Sequence, residues 1–148
     1  MAPQSLVIGL GSTLRGDDAL GRIAAERVRL AVAPNDVRVI DLDSLTPDLA
    51  AELSEVSRAV FLDASVVGSP DQVVSFRLDE GNSSEPLGHR CEMGTLLSLT
   101  RHLYGRAPEA FAITFRGNDF ALRDRSLSPE AEAALDQVVE DTLRLVVR

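Results

Sequence analysis

Short apolar runs and longer stretches with helical periodicity alternate along this chain. Leu6-Val7-Ile8-Gly9 is a brief apolar run, and Gly9-Leu10-Gly11-Ser12-Thr13 reads as a tight loop closing a first strand. From about Asp18 to Val32, the residues Leu20, Ile23, Ala24, Val28 and Ala31 recur at helical spacing until Ala33-Pro34-Asn35-Asp36 ends the pattern. The β-branched run Val37-Arg38-Val39-Ile40-Asp41-Leu42 predicts a second strand. Thr46-Pro47-Asp48 then offers an N-cap, a proline at the first helical position and an acidic first turn for a second helix. Ala59 to Asp63 predicts a third strand that stops at a carboxylate, and Val73 to Leu78 a fourth. The polar stretch from Asp79 to Gly88 predicts a long loop before a helix from about Glu92 to Tyr104. Ala110 to Phe115 supplies a fifth strand. Ser128-Pro129-Glu130 caps a last helix whose buried face takes Leu135, Val138, Val139, Thr142 and Val146.

The resulting order, β-α-β-α-β-β-α-β-α, predicts one α/β domain over residues 1–148. Its expected form is a three-layer α/β/α arrangement with a mostly parallel, twisted five-stranded sheet joined by right-handed crossovers. In such sheets ligands bind beyond the carboxyl ends of the strands. The segments to inspect are therefore Gly9 to Asp18, Asp63 to Val67, Asp79 to Cys91 and Arg116 to Ser126.

Composition narrows the chemistry. All 15 basic residues are arginine, so Schiff-base chemistry, pyridoxal phosphate attachment and the P-loop lysine are excluded for want of an ε-amine. A net charge of −8 with scattered arginines argues against nucleic acid and for a protein or small-molecule partner. No apolar run approaches the ~18 residues of a membrane span, so no membrane association is expected. A single cysteine forms no internal disulfide, and Met1-Ala2-Pro3-Gln4-Ser5 lacks a basic leader region, which makes a cytoplasmic protein, monomeric by default, the expectation.

Gly9-x-Gly11 after a strand, with Asp41 available to a ribose, is a partial dinucleotide motif. Against it, the third glycine position is Leu14, and Asp17-Asp18 puts negative charge where a pyrophosphate would sit. One of these two carboxylates is accounted for by capping the first helix; the other is free to face the cleft. Asp63, ending an apolar strand, needs donors or a cation if buried. His89 stands where the polar loop meets the third helix. Taken alone it is an ordinary loop histidine, but Asp18, Asp63 and His89 come from three junctions that this topology brings to one rim. Two carboxylates and an imidazole suit a borderline divalent ion such as nickel or zinc, with positions left open for substrate. His102 fits the C-terminal turn of a helix. Ser12 and Thr13 have no histidine near them in sequence, and no Gly-x-Ser-x-Gly elbow exists. Cys91, beside His89 and Arg90 at a helix start, is the competing nucleophile, with simple packing as its commoner role.

With these residues assembled, nearly the whole chain resembles the hydrogenase maturation proteases. The resemblance rests on Ile8-Gly9-Leu10-Gly11-Ser12-Thr13-Leu14-Arg15-Gly16-Asp17-Asp18-Ala19-Leu20-Gly21, on Phe61-Leu62-Asp63-Ala64, and on His89 followed four residues later by Met93. It implies a nickel-dependent endopeptidase that removes a C-terminal extension from a [NiFe]-hydrogenase large-subunit precursor. It further implies that Asp18, Asp63 and His89 serve as both metal-binding and catalytic residues, with Asp17 left to satisfy first-helix amides. The nickel belongs to the precursor, and cadmium or zinc can stand in for it. The chain departs from the family pattern in two places: Ser12 stands where asparagine is usual, and Arg116-Gly117-Asn118-Asp119-Phe120 where a proline and glutamate often follow the last strand. The alternatives are a non-catalytic chaperone that senses the metal, or a cysteine peptidase using Cys91.

Overall fold

The computed structural model describes residues 3–65, 72–80, 89–117, 120–121 and 127–147, with the side chains of Ser65 and residues 89–91 outside the description. Five strands, β1 (Ser5–Leu10), β2 (Val37–Leu42), β3 (Arg58–Ser65), β4 (Val73–Arg77) and β5 (Glu109–Arg116), form one sheet in the order β2-β1-β3-β5-β4. The pairs β1–β2, β1–β3 and β3–β5 are parallel, and only β4 runs antiparallel, along the free edge of β5. Among the described residues four α-helices cover the sheet: α1 (Leu20–Ala31), α2 (Leu49–Leu53), α3 (His89–Tyr104) and α4 (Pro129–Val146).

Alternation along the central strands sorts the core into two layers. Leu6, Ile8 and Leu10 of β1, Ala59 and Phe61 of β3, and Ala110 and Ala112 of β5 face α2 and α3. Val7, Val60, Leu62, Ile113 and Phe115 face α1 and α4. This is the expected three-layer α/β/α arrangement. Helix α1 lies close on the sheet because a Cβ at Gly21 would collide with the carbonyl oxygens of Leu10 and Leu62. A Cβ at Gly9 would in turn run into Gly21 and Ala25.

The third helix starts at His89, three residues before the expected Glu92, and the other helices depart from the sequence reading as well. The first helix does not begin at Asp18: Gly16–Ala19 is a separate 3-10 turn, and α1 starts at Leu20. The second helix is a short α2 that Thr46 does not cap. Instead, Leu49 N–H donates to the Thr46 carbonyl at 3.2 Å and Ala50 N–H to that of Pro47 at 3.1 Å, so consecutive tight turns lead into the helix. On α4, Val139 is only partly buried, and Ala131 joins Leu135, Val138, Thr142 and Val146 on the inner face. The Ser128 cap is as expected, its hydroxyl oxygen accepting from Ala131 N–H at 3.1 Å. At the other end of α4, Arg58 donates to the Leu145 carbonyl at 2.7 Å and to Glu109 at 2.6 Å while lying over the Phe111 ring. No helix among the described residues is long and apolar enough to cross a membrane.

Asp41 on β2 is held by arginines of α1. Arg22 Nε and Nη2 both donate to one carboxylate oxygen at 3.1 Å, and Arg29 Nη2 donates to the other at 3.2 Å. Arg22 also reaches Asp43 at 2.7 Å. Burial pushes the Asp41 carboxyl up, but the hydrogen bonds and charges of Arg22 and Arg29 outweigh it and hold the group below its ordinary 3.8. A carboxyl lowered by folding adds stability above its unfolded pKa, and that contribution is lost as pH falls through the folded value. Urea unfolding of the parent and Asp41→Asn should therefore differ by a constant amount above about pH 5. The difference should shrink as pH drops below 3.8.

Candidate active site at the carboxyl rim of the sheet

Chain order and strand order together locate the crevice. From β1 the chain crosses to β2 on one side, then returns to β3 on the other, so the connections diverge between β1 and β3. Such a switch point opens a cleft at the carboxyl ends of the two strands. The loop after β1 occupies one wall of it. Its Gly11 has φ of +132°, and a Cβ there would strike the Asp18 carbonyl, so the tight return toward Asp18 requires glycine.

That return is fixed by hydrogen bonds. Ser12 N–H donates to Asp18 Oδ2 at 2.8 Å, and Leu14 N–H donates to the Ser12 hydroxyl oxygen at 3.2 Å. Asp18 N–H donates to the Arg15 carbonyl at 3.1 Å, closing the turn. Asp18 remains partly exposed on a turn that packs against β3. Serine at position 12 therefore does two jobs, its amide holding Asp18 and its hydroxyl holding the loop.

Asp17 is fully buried, and its partners are not those expected from sequence. Ser128 N–H donates to its Oδ1 at 2.7 Å and the Ser128 hydroxyl to its Oδ2 at 2.8 Å. The carboxylate thus sits at the N-terminus of α4, not in the amides of α1, where it also complements the positive end of an 18-residue helix. The reason is geometric: with Gly16–Ala19 forming its own turn, Asp17 points away from α1 toward the segment entering α4. Gly117 makes room, since a Cβ there would press on Asp17 Cβ at 2.9 Å and on the Phe120 ring at 2.5 Å.

Asp63 lies on the other wall, two residues from the end of β3 and 4% exposed. It shares strand parity with Ala59 and Phe61, which places it on the α3 face, and its register partner on β5 is Thr114. A carboxylate so deeply buried costs free energy unless donors or a cation compensate it.

His89 reaches this rim by a different route from the one expected. Because β4 is antiparallel, its end lies at the opposite rim, where Leu78 N–H donates to the Ala110 carbonyl at 2.9 Å. Helix α3 then ends only four residues before β5 begins, so its C-terminus is at that opposite rim and its first residue, His89, is at the rim of Asp18 and Asp63. The side chains of His89 and of the competing nucleophile Cys91 lie outside the described residues. So do Asn118 and Asp119, two of the positions that depart from the family pattern. Among the described residues no three His, Cys, Asp or Glu side chains form a metal-sized group. His102 is exposed in the last turn of α3, as expected. Asp41 is committed to Arg22 and Arg29, which leaves the partial dinucleotide motif without its ribose ligand.

No protein-family model matches the chain, and no curated protein matches it. Solved structures do. The hydrogenase maturating endopeptidase HybD from E. coli superposes with a TM-score of 0.78 at 22% identity, over 95% of this chain and 90% of that one. The chain has the fold of the hydrogenase maturation proteases. The [NiFe] hydrogenase maturation protease HycI from Thermococcus kodakarensis gives a TM-score of 0.79 at 18% identity, over 98% and 93% of the two chains. HybD from the same organism gives 0.73 at 25% identity, over 97% and 99%. The sequence resemblance is thus matched by likeness in three dimensions along nearly the full chain.

The two neighbouring aspartates should separate cleanly on substitution. Asp17→Ala leaves the buried Ser128 hydroxyl and amide without their charged acceptor and should cost roughly 2–4 kcal/mol in urea unfolding. Asp18→Asn, on a partly exposed turn, should cost under about 1 kcal/mol, since the remaining oxygen still accepts from Ser12.

Proposed function

We propose that this protein is an endopeptidase of hydrogenase maturation that removes the C-terminal extension of a [NiFe]-hydrogenase large-subunit precursor once nickel has been inserted. The observation that carries the reading is the switch-point crevice. Asp63 is buried at its strand end, Asp18 is fixed on the facing turn, and the start of α3 lies at the same rim, all within a fold shared with proteins that carry out such maturation. Nickel enters as part of the substrate, bound by precursor thiolates. Asp18, Asp63 and His89 contribute the protease's own oxygen and nitrogen donors, which suit a borderline divalent ion.

Joint ligation of one ion by both proteins docks the precursor and brings its scissile peptide to the rim, turning an encounter into an oriented complex. The ion supplies Lewis-acid polarisation to the peptide bond or to an attacking water. The protease residues hold the geometry: Ser12 positions the Asp18 carboxylate, and Asp17, tied to Ser128, keeps the turn in place. No side-chain nucleophile is required.

Two measurements test this. Calorimetric titration with nickel should find about one weak site per chain, weakened by Asp18→Asn, Asp63→Asn or His89→Ala because each removes one donor. Binding that persists in all three variants overturns the donor set. Intact mass of a precursor large subunit should then fall on incubation only when the precursor carries nickel. The shortening should survive Cys91→Ala and fail with Asp63→Asn. Loss with Cys91→Ala would identify a cysteine peptidase, and binding without any change in mass would identify a chaperone.

A further inference from the structure

A groove of about 230 Å3 opens at the same rim, between the turns that follow β2 and the first half of α3. Leu45 and Pro47 form one wall, Leu96 and Leu99 the other. Glu92, Thr95 and Leu99 follow one another at helical spacing, so the groove runs along a single face of α3. Its volume equals that of roughly eight waters at ~30 Å3 each, which suits one large side chain. A dinucleotide needs far more room.

Position gives the groove its meaning. Glu92, at its near end, is three residues past His89, about 4.5 Å along the helix, and Leu99 is about 15 Å along. An extended peptide advances ~3.3 Å per residue, so a chain leaving the rim with its scissile bond passes this groove within about one to five residues. We infer that the groove is a specificity subsite that takes an apolar side chain of the precursor, about one to five residues from the bond that is cut. This inference rests on the endopeptidase reading above. Apolar walls reward a large aliphatic or aromatic side chain, and an acidic one would be desolvated beside the Glu92 carboxylate.

Filling the groove tests it without touching Asp18, Asp63 or His89. Thr95 and Thr46 are exposed and stand on opposite walls. Thr95→Phe and Thr46→Phe, checked for folding by thermal unfolding, should each raise KM for the nickel-loaded precursor about tenfold or more while kcat at saturation stays near the parent's. In parallel, a synthetic peptide spanning the cut site should shift the amide resonances of Leu45, Thr46 and residues 92–99 in the parent. An unchanged KM in folded filled variants, or peptide-induced shifts confined to other residues, overturns the subsite even where the parent processes its precursor. A parent that leaves the precursor uncut overturns the endopeptidase reading, and shifts at these amides would still uphold the groove as a peptide site.

Discussion

A buried carboxylate at the head of the last helix holds the working end of this molecule together. Asp17 belongs to a turn just after β1, yet both of its oxygens accept from Ser128, 111 residues further on. The Ser128 hydroxyl donates to Asp17 and accepts from Ala131, so one side chain closes the helix and binds the turn. Fixing Asp17 also fixes Asp18, its neighbour, whose own oxygen is held from the other direction by the Ser12 amide. Helix α4 is secured at its far end as well, where Arg58 meets the Leu145 carbonyl. The helix acts as a strut between the two rims of the sheet.

The remaining geometry follows from strand parity and strand direction. A two-residue period puts Asp63 on the face of Phe61, toward α3, whereas Leu62 and Ala64 flank it along the strand. Reversal of β4 ends that strand at the far rim, and α3 runs from the crevice to the far rim to feed β5, which is why a helix start and not a strand end carries His89 to the crevice. The apolar groove along α3 exists for the same reason, since the helix lies antiparallel to its neighbouring strands and opens its first half toward the turn after β2.

Much of this was legible in the residues. Val37 to Leu42 is β2 to the residue, the Ser128-Pro129-Glu130 cap opens α4, and the alternating order implied the three layers. Local signals suffice where local chemistry decides. What escaped was long-range pairing. Nothing near Asp17 points to Ser128, and a pair of aspartates before an apolar periodic stretch reads as a cap for the nearest helix. Arg22 and Arg29 recur seven residues apart on α1, a spacing that puts them on one face, but their claim on Asp41 depends on how α1 crosses β2. Thr46-Pro47-Asp48 has the composition of a helix start and instead forms turns, because the following helix is only five residues long.

Synthesis runs from the N-terminus, and domains begin to organise as they emerge. When residue 116 has been made, all five strands exist, together with Asp18, Asp63 and the start of α3. The partner that seats Asp17 does not. A nascent chain at that stage carries a buried acid with no helix to receive it, and the turn that aims Asp18 lacks its anchor. The rim therefore acquires its final shape only with the closing helix, as the last step of building the protein.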